Sequence, residues 1–420
     1  MHPGALLDLT SDLLRNVLKL DAPADGVVSS FFRQHRDLGP RERHTLAETT
    51  YALLRERLLF QHLAQSGSGP MERRLALLAW AGNAGFLSAA LQTHEQQWLA
   101  KVHEIDRATL PDKLRHNQPD WLANALREQL GDEAFWQLAA ALNEPADLDL
   151  RVNTFKAKRD DVLRMLADAG MQAAPTPYSP WGVRVQGKPA VNKLDAFKQG
   201  SFEVQDEGSQ LLALLLDAKR GEMVADFCAG AGGKTLALGA AMRSTGRLYA
   251  FDTSGHRLAA LKPRLARSGL SNVHPVQIAH ERDERIKRLA GKMDRVLVDA
   301  PCTGLGTLRR NPDLKWRQSP QSVAELQVKQ SAILAGAARL VKPGGRLVYA
   351  TCSLLRAENE DVASSFTQSQ IREFDVLPVA PLLDAAHVDQ ADGLVVSDHL
   401  RLWPHQHHTD GFFAAVWQRR

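Results

Sequence analysis

The chain has 420 residues, 44% of them hydrophobic, and its 52 Lys+Arg against 48 Asp+Glu give a formal net charge of +4. That length suits roughly two or three domains with sizeable cores, and the near-balanced charge permits a polyanionic partner without requiring one. Cysteine is limited to Cys228, Cys302 and Cys352, an odd and sparse set that argues against a disulfide scaffold and for a reducing cytoplasm.

The N-terminal stretch MHPGALLDLTSDLLRNVLKL is amphipathic and carries acids among its apolar residues, unlike a signal peptide. No apolar run approaches the about 20 residues that span a bilayer, so a soluble, cytoplasmic protein without a membrane partner is expected; a monomer is the separate expectation for its assembly. Over residues 6–142 apolar side chains recur at three- and four-residue spacing, as in RHTLAETTYALLRERLLFQHLAQ and PDWLANALREQLGDEAFWQLAAAL. Breakers such as GSGP separate the helices, and residues 1–142 read as an all-α domain.

Residues 143–147 read as a linker. LDLRVNTF then alternates like a strand, residues 159–169 like a helix, and WGVRVQG supplies another strand. Residues 147–205 therefore form a small α+β module, whose Lys156, Lys158 and Arg159 suit an RNA contact and a structural connector equally. From Phe202 onward the strand-like runs MVADFCA, GRLYAFD, DRVLVDAP and GRLVYATCS alternate with helical stretches, the pattern of a mostly parallel, doubly wound α/β sheet over residues 206–420. The tail HLRLWPHQHHTDGFFAAVWQRR reads as two strands joined by a polar turn, an antiparallel pair at the end of that sheet.

In VADFCAGAGGKTLALGAA a glycine-rich turn links a strand to a helix, and Gly230, Gly232 and Gly233 let a ligand approach the backbone closely. It is not a P-loop, since that spacing needs glycine where Cys228 stands, and the full dinucleotide fingerprint is absent as well. Asp252 ends the next strand about twenty residues further on, where a carboxylate accepts hydrogen bonds from ribose hydroxyls. Without a phosphate signature, S-adenosylmethionine fits this nucleoside site better than NAD or ATP.

DRVLVDAPCTGLGTLRRNPDLKW puts Asp299 at a strand end and Pro301-Cys302 just beyond it, then a basic loop of Arg309, Arg310 and Lys315 with Trp316. Such a loop suits phosphates and stacked bases, or is merely a solvated turn. Cys352 closes the strand of GGRLVYATCSLLRAENE, where a buried cysteine is commonly core filler. Paired with Cys302 it has another use. Carbon 5 of a cytosine becomes nucleophilic once a thiolate adds to carbon 6. An acid near ring nitrogen 3 steadies the adduct, and a base removes the carbon-5 proton so that the thiolate leaves. A second thiol could assist that release, and the base must be single-stranded or flipped out to reach the pocket.

FEVQDEGSQL, DFCAGAGGKT, AFDTS, DAPCTGLGTLRRNPDLKW, KPGGRLVYATCS and LRLWPHQHHTDGFFAA together resemble the RsmB/Sun-type RNA (cytosine-5)-methyltransferases, and LGPRERHTLAETTYALLR resembles the NusB-like RNA-binding domain of their bacterial members. The resemblance implies a Rossmann-like class I methyltransferase domain, preceded by the small α+β module and a NusB-like helical domain. It implies methylation of a cytosine in RNA, with 16S ribosomal RNA the expected substrate, through a covalent cysteine–cytosine intermediate. Cys352 would be the nucleophile, Cys302 the assistant in product release, and Asp299 would sit between cofactor and target base. Cys228, Ala229, Gly230, Ala231, Gly232, Gly233 and Lys234 would line the cofactor's methionine and ribose, Asp252 would hold the ribose, and Arg309, Arg310 and Lys315 would support the RNA.

The family usually has proline where this chain has Ala231. Its acid after the following strand falls at His280, with Asp283 as a substitute three residues on. The competing reading is a non-catalytic RNA-binding relative that acts as a ribosome-assembly factor. A small-molecule methyltransferase would leave the basic loop and helical domain without purpose. A metal site at His405, His407 and His408 lacks a completing cysteine or carboxylate, so a solvated turn is expected there and no metal.

Overall fold

Helical periodicity in the N-terminal region becomes a succession of helices with no strand before Leu148. The long apolar pattern of residues 43–65 is interrupted at Glu56, whose φ of −111° and ψ of 35° separate helix Pro40–Arg55 from helix Arg57–Ala64. Leu46, Leu53, Leu54, Leu59 and Leu75 are all at most 2% exposed, so the apolar stripes meet inside the helical part rather than on its surface.

The computed structural model describes residues 1–420 and divides into two units: Met1–Pro145 with Thr307–Ser319, and Ala146–Gly306 with Pro320–Arg420. Inclusion of 307–319 in the helical unit differs from the expectation of an exposed basic loop. Lys315 is 1% exposed and donates to the carbonyl of Arg55 at 2.8 Å. Trp316 donates its indole N–H to the Leu54 carbonyl at 2.7 Å and lies under the Arg57 guanidinium. Asp313 accepts from the backbone N–H of Ala24 at 3.2 Å. Burial lowers Lys315 to about 7, the direction expected for an ammonium removed from water.

In the second unit, β1 (Leu148–Val152), β2 (Ala173–Pro175), β3 (Gly182–Val185) and β4 (Phe202–Val204) form an antiparallel sheet in the order β2-β3-β1-β4. Alternation decides its two faces. Leu150 and Val152 pack with Val162 and Leu166 of helix Arg159–Asp168, whereas Asp149 and Arg151 point the other way and are buried as well. Arg184 from β3 forms a bidentate pair with Asp149, at 2.8 and 3.0 Å. Asp149 also accepts from the backbone N–H of Glu207 at 3.3 Å.

The large sheet contains β5 (Met223–Asp226), β6 (Arg247–Asp252), β7 (Val273–Gln277), β8 (Met293–Asp299), β9 (Val341–Thr351), β10 (Phe374–Val376), β11 (Val395–Val396), β12 (His399–Leu402) and β13 (Phe412–Arg419). Its order is β11-β12-β13-β9-β8-β5-β6-β7, with β10 paired to β13. Strands β5 to β9 run parallel, and the C-terminal strands join antiparallel. Val296, Leu297, Val298, Leu347, Val348 and Tyr349 are 0% exposed, so the parallel strands are apolar on both faces. The tail forms the expected antiparallel pair. Its connection is not a solvated turn, because His407 is buried with one ring nitrogen accepting from Trp403 N at 2.8 Å and the other 3.0 Å from Gly393 O.

Asp226 ends β5 fully inside the protein. One carboxylate oxygen accepts from the Thr235 hydroxyl at 2.7 Å and the other has no partner, and burial raises its pKa to about 7.

Two outcomes test these arguments. Arg184→Met strands a buried carboxylate and should lower unfolding free energy by about 3–5 kcal/mol in denaturant titrations. For Asp226, the unfolded chain releases its proton near pH 4 and the folded chain only near 7, so this group lowers stability progressively as pH rises between those values. Asp226→Asn should therefore lose less thermal stability than the wild type on going from about pH 5 to about pH 8; equal losses would contradict the assignment.

Candidate active site

The chain leaves β5 toward β6 and β7, then resumes on the other side of β5 at β8 and β9. Connections diverge at that reversal and leave a crevice at the carboxyl ends of the strands. A cavity of about 850 Å³ opens there, lined by the loops that follow β5, β6, β7, β8 and β9.

The loop after β5 carries Cys228, Ala229, Gly230, Ala231, Gly233 and Lys234 into the cavity wall. Gly232 is the exception among the expected residues. It starts helix Gly233–Ala241 with a φ of 83° and faces inward, where a Cβ would lie 2.1 Å from the Leu261 side chain. Asp252, at the end of β6, accepts from Gly230 N at 2.8 Å and from Ser254 N at 2.7 Å. These contacts orient its carboxylate toward the cavity and leave acceptor capacity for ligand hydroxyls. The Ala231 carbonyl receives Arg264 at 2.8 Å, and Arg264 is held in turn by Glu203 from β4. Arg151 from β1 reaches the Gly233 carbonyl at 3.4 Å. The small sheet thus braces the glycine loop, and its support lies where the family's proline is missing.

Strands β8 and β9 pair in parallel with Asp299 opposite Ala350, so the loops that leave them are adjacent. Cys302 and Cys352 come together there with their sulfurs 3.4 Å apart, and both line the cavity. Beside them Lys234 donates to Asp299 at 2.6 Å. Burial disfavours the Lys234 ammonium, but Asp299 outweighs it and raises its pKa. The hydrogen bond with Cys352, then burial, pushes Cys302 well above the usual thiol range. Burial does the same to Cys228.

Gly306 stitches the thiol loops to the segment before β13. Its N–H donates to the Cys352 carbonyl and its carbonyl accepts from Gly411 N, both at 2.8 Å. A Cβ there would lie 2.1 Å from the Gly411 carbonyl oxygen, so only glycine fits. Sequence reasoning missed a second support, Glu358, which is 0% exposed and accepts hydrogen bonds from Thr303, Ser353 and Gln330. Its signal was the acid in AENE after the Thr-Cys-Ser run, which reads as an ordinary solvated residue.

His280 lines the cavity, and its ring accepts from Arg282 N at 3.1 Å. Asp283 does not line it. Its oxygens accept from Arg285 N at 2.8 Å and Ala279 N at 2.9 Å, which caps the short helix Glu284–Lys287 and holds the carboxyl below its usual range. Arg309, Arg310 and Lys315 belong to the helical unit and are absent from the cavity wall. Lys315 in particular is buried with its ammonium on a backbone carbonyl, a correction to its expected role at the RNA. No group of His, Cys, Asp and Glu side chains has the arrangement of a metal site, and no helix is long and apolar enough to cross a membrane.

Comparison with known proteins agrees with this geometry. The family model for the 16S rRNA methyltransferase RsmB/F matches residues 213–418, and the ferredoxin-like domain of RsmF/B-like methyltransferases matches residues 118–192. A relative from Synechocystis sp., a probable ribosomal RNA small subunit methyltransferase B, is 31% identical over 96% of this chain and 97% of its own length. The crystal structure of PH0851 is similar with a TM-score of 0.80 and 26% identity, covering 99% of both chains. NSun6 from Pyrococcus horikoshii, solved with SFG, shares the fold at a TM-score of 0.63 and 21% identity, over 72% of this chain and 98% of that one. With its glycine loop, its strand-end carboxylate Asp252 and its two strand-end thiols, the chain belongs to the RsmB/F family of S-adenosylmethionine-dependent RNA methyltransferases.

Proposed function

We propose that the protein methylates carbon 5 of a cytosine in small-subunit ribosomal RNA through a covalent cysteine–cytosine adduct. The observation that carries this reading is the 3.4 Å approach of Cys302 and Cys352 at the wall of the cavity that Asp299 and Asp252 also line. A methyltransferase acting on an oxygen or an exocyclic nitrogen needs no thiol pair. Carbon 5 of cytosine does need a nucleophile on carbon 6 before it can react.

The cavity suits the cofactor, since Asp252 keeps acceptor capacity beside the exposed backbone of the glycine loop. S-adenosylmethionine supplies the methyl group as an electrophilic sulfonium substituent. The Cys352 thiolate adds to carbon 6, and the electron pair moves toward ring nitrogen 3. There the Lys234 ammonium, held by Asp299, donates its proton to the nitrogen as the electron pair arrives. After methylation a base removes the carbon-5 proton, the ring double bond re-forms and the Cys352 sulfur departs. Cys302 keeps its proton because its hydrogen bond with Cys352 and its burial both disfavour the thiolate. Its S–H can therefore donate to the departing sulfur. The relatives named as small-subunit ribosomal RNA methyltransferases support the choice of RNA.

Two experiments follow. Cys302→Ser should accumulate a protein–RNA adduct that survives denaturing electrophoresis, and Cys352→Ser should form none; the opposite pattern would reverse the roles. Asp252→Ala should weaken cofactor binding by about 10- to 100-fold in calorimetry, as for lost hydrogen bonds to a charged group. An unchanged affinity would remove Asp252 from the ribose.

A further inference from the structure

Glu358 follows Cys352 by six residues and lies at the edge of a one-turn helix, Arg356–Glu358. A carboxylate shielded from water in this way is costly unless every lone pair finds a donor. Here the donors come from both thiol loops. One oxygen accepts from Thr303 N at 2.9 Å and from the Gln330 amide at 3.0 Å. The other accepts from the Thr303 hydroxyl at 2.6 Å and from the Ser353 hydroxyl. Thr303 is the neighbour of Cys302, and Ser353 is the neighbour of Cys352. Gln330 also donates to the Pro301 carbonyl at 3.0 Å, which adds a second tie to the Cys302 loop.

We propose that Glu358 is a positioning residue that clamps the Cys302 and Cys352 loops to each other and thereby fixes the spacing of their sulfurs. Its four donors occupy the about four acceptor sites of a carboxylate. It therefore has no capacity left for substrate, and it acts through the thiols rather than on the base. The surroundings reinforce the clamp. Tyr349 donates its hydroxyl to the Glu358 carbonyl at 2.6 Å, Asn359 donates to the Ser353 carbonyl at 2.9 Å, and Arg401 donates to the Leu354 carbonyl at 2.7 Å. The negative charge of Glu358 also contributes, after the hydrogen bond with Cys352 and burial, to keeping Cys302 protonated.

Only the catalytic consequence depends on the cytosine reading; the spacing itself can be measured without RNA. Phenylarsine oxide exchanges its oxygen for two thiol sulfurs and releases water, and it binds tightly only where two thiols lie within bridging distance. The wild-type protein should take up one equivalent, and Cys302→Ser or Cys352→Ser should abolish tight binding. Glu358→Ala should weaken it by about tenfold or more and lower kcat by about 100-fold, the scale expected for reacting groups displaced by an ångström. Binding of S-adenosylhomocysteine should stay unchanged. In Glu358→Gln the amide oxygen can face the two N–H donors while the hydroxyls turn to accept from its NH₂. That variant should keep arsenical affinity and kcat within about threefold of the wild type. If Glu358→Ala fails to fold, Thr303→Ala and Ser353→Ala each remove one hydroxyl donor from the clamp, Thr303→Ala keeping its backbone N–H, and should each weaken arsenical binding. Wild-type arsenical affinity in Glu358→Ala or in both single-arm variants would overturn the proposal, as would a Glu358→Gln protein as impaired as Glu358→Ala. Absence of cytosine methylation by the wild type would refute the proposed function and leave the arsenical result standing.

Discussion

Parallel pairing of β8 with β9, in the register that sets Asp299 opposite Ala350, is the constraint on which the catalytic end of the molecule depends. Parallel neighbours release their chains at the same edge of the sheet, so the two loops that follow must share space. Cys302 lies three residues past the end of one strand and Cys352 one residue past the end of the other. A shift of one residue in this register would exchange the side chains that one strand presents to the two buried faces and undo the packing on both. Hydrophobic burial on both faces therefore holds the thiols opposite each other, and hydrogen bonds refine the distance.

The glycine-loop side of the cavity follows a different logic. Its glycine loop has little side-chain mass of its own, and its shape is imposed from outside. Asp252 draws in one N–H, Arg264 holds one carbonyl, and Arg151 reaches another from the small antiparallel sheet. The polar face of that sheet is consequently buried, and its charges are used for bracing. This gives the small module a mechanical purpose within its unit whether or not it touches RNA.

Much of this was legible in the sequence because the signals were local. Val- and Leu-rich runs that end in Asp226, Asp252 and Asp299 mark parallel strands, and the Pro-Cys and Thr-Cys pairs mark the two thiols that meet at the cavity. What escaped depended on long-range burial. Nothing in DLKW says that a lysine beside a tryptophan will place its ammonium on the carbonyl of Arg55, some 260 positions away; charge and aromaticity in a loop read as a surface for RNA. Glu358 was overlooked for a related reason, since an acid in a run of acids is ordinarily solvated. Asp283 was a candidate for the cofactor until the structure placed it off the cavity wall, as the cap of the short helix Glu284–Lys287. In each case the residue's type was plain, and its partners lay elsewhere in the chain.

The path of the chain through residues 307–319 has a consequence for how the protein can be divided. The chain leaves the catalytic sheet after Gly306, contributes Trp316 to the apolar core of the helical unit, and returns at Pro320. A fragment cut at Pro145 would lack that tryptophan and the lysine beside it, and would expose the apolar surface and the carbonyls they cover. The remaining piece would carry the same thirteen residues as an orphaned excursion. The two units are consequently not exchangeable as contiguous cassettes: a functional graft of the helical unit would have to bring its insertion along, and recombination at a single point would separate parts that fold together.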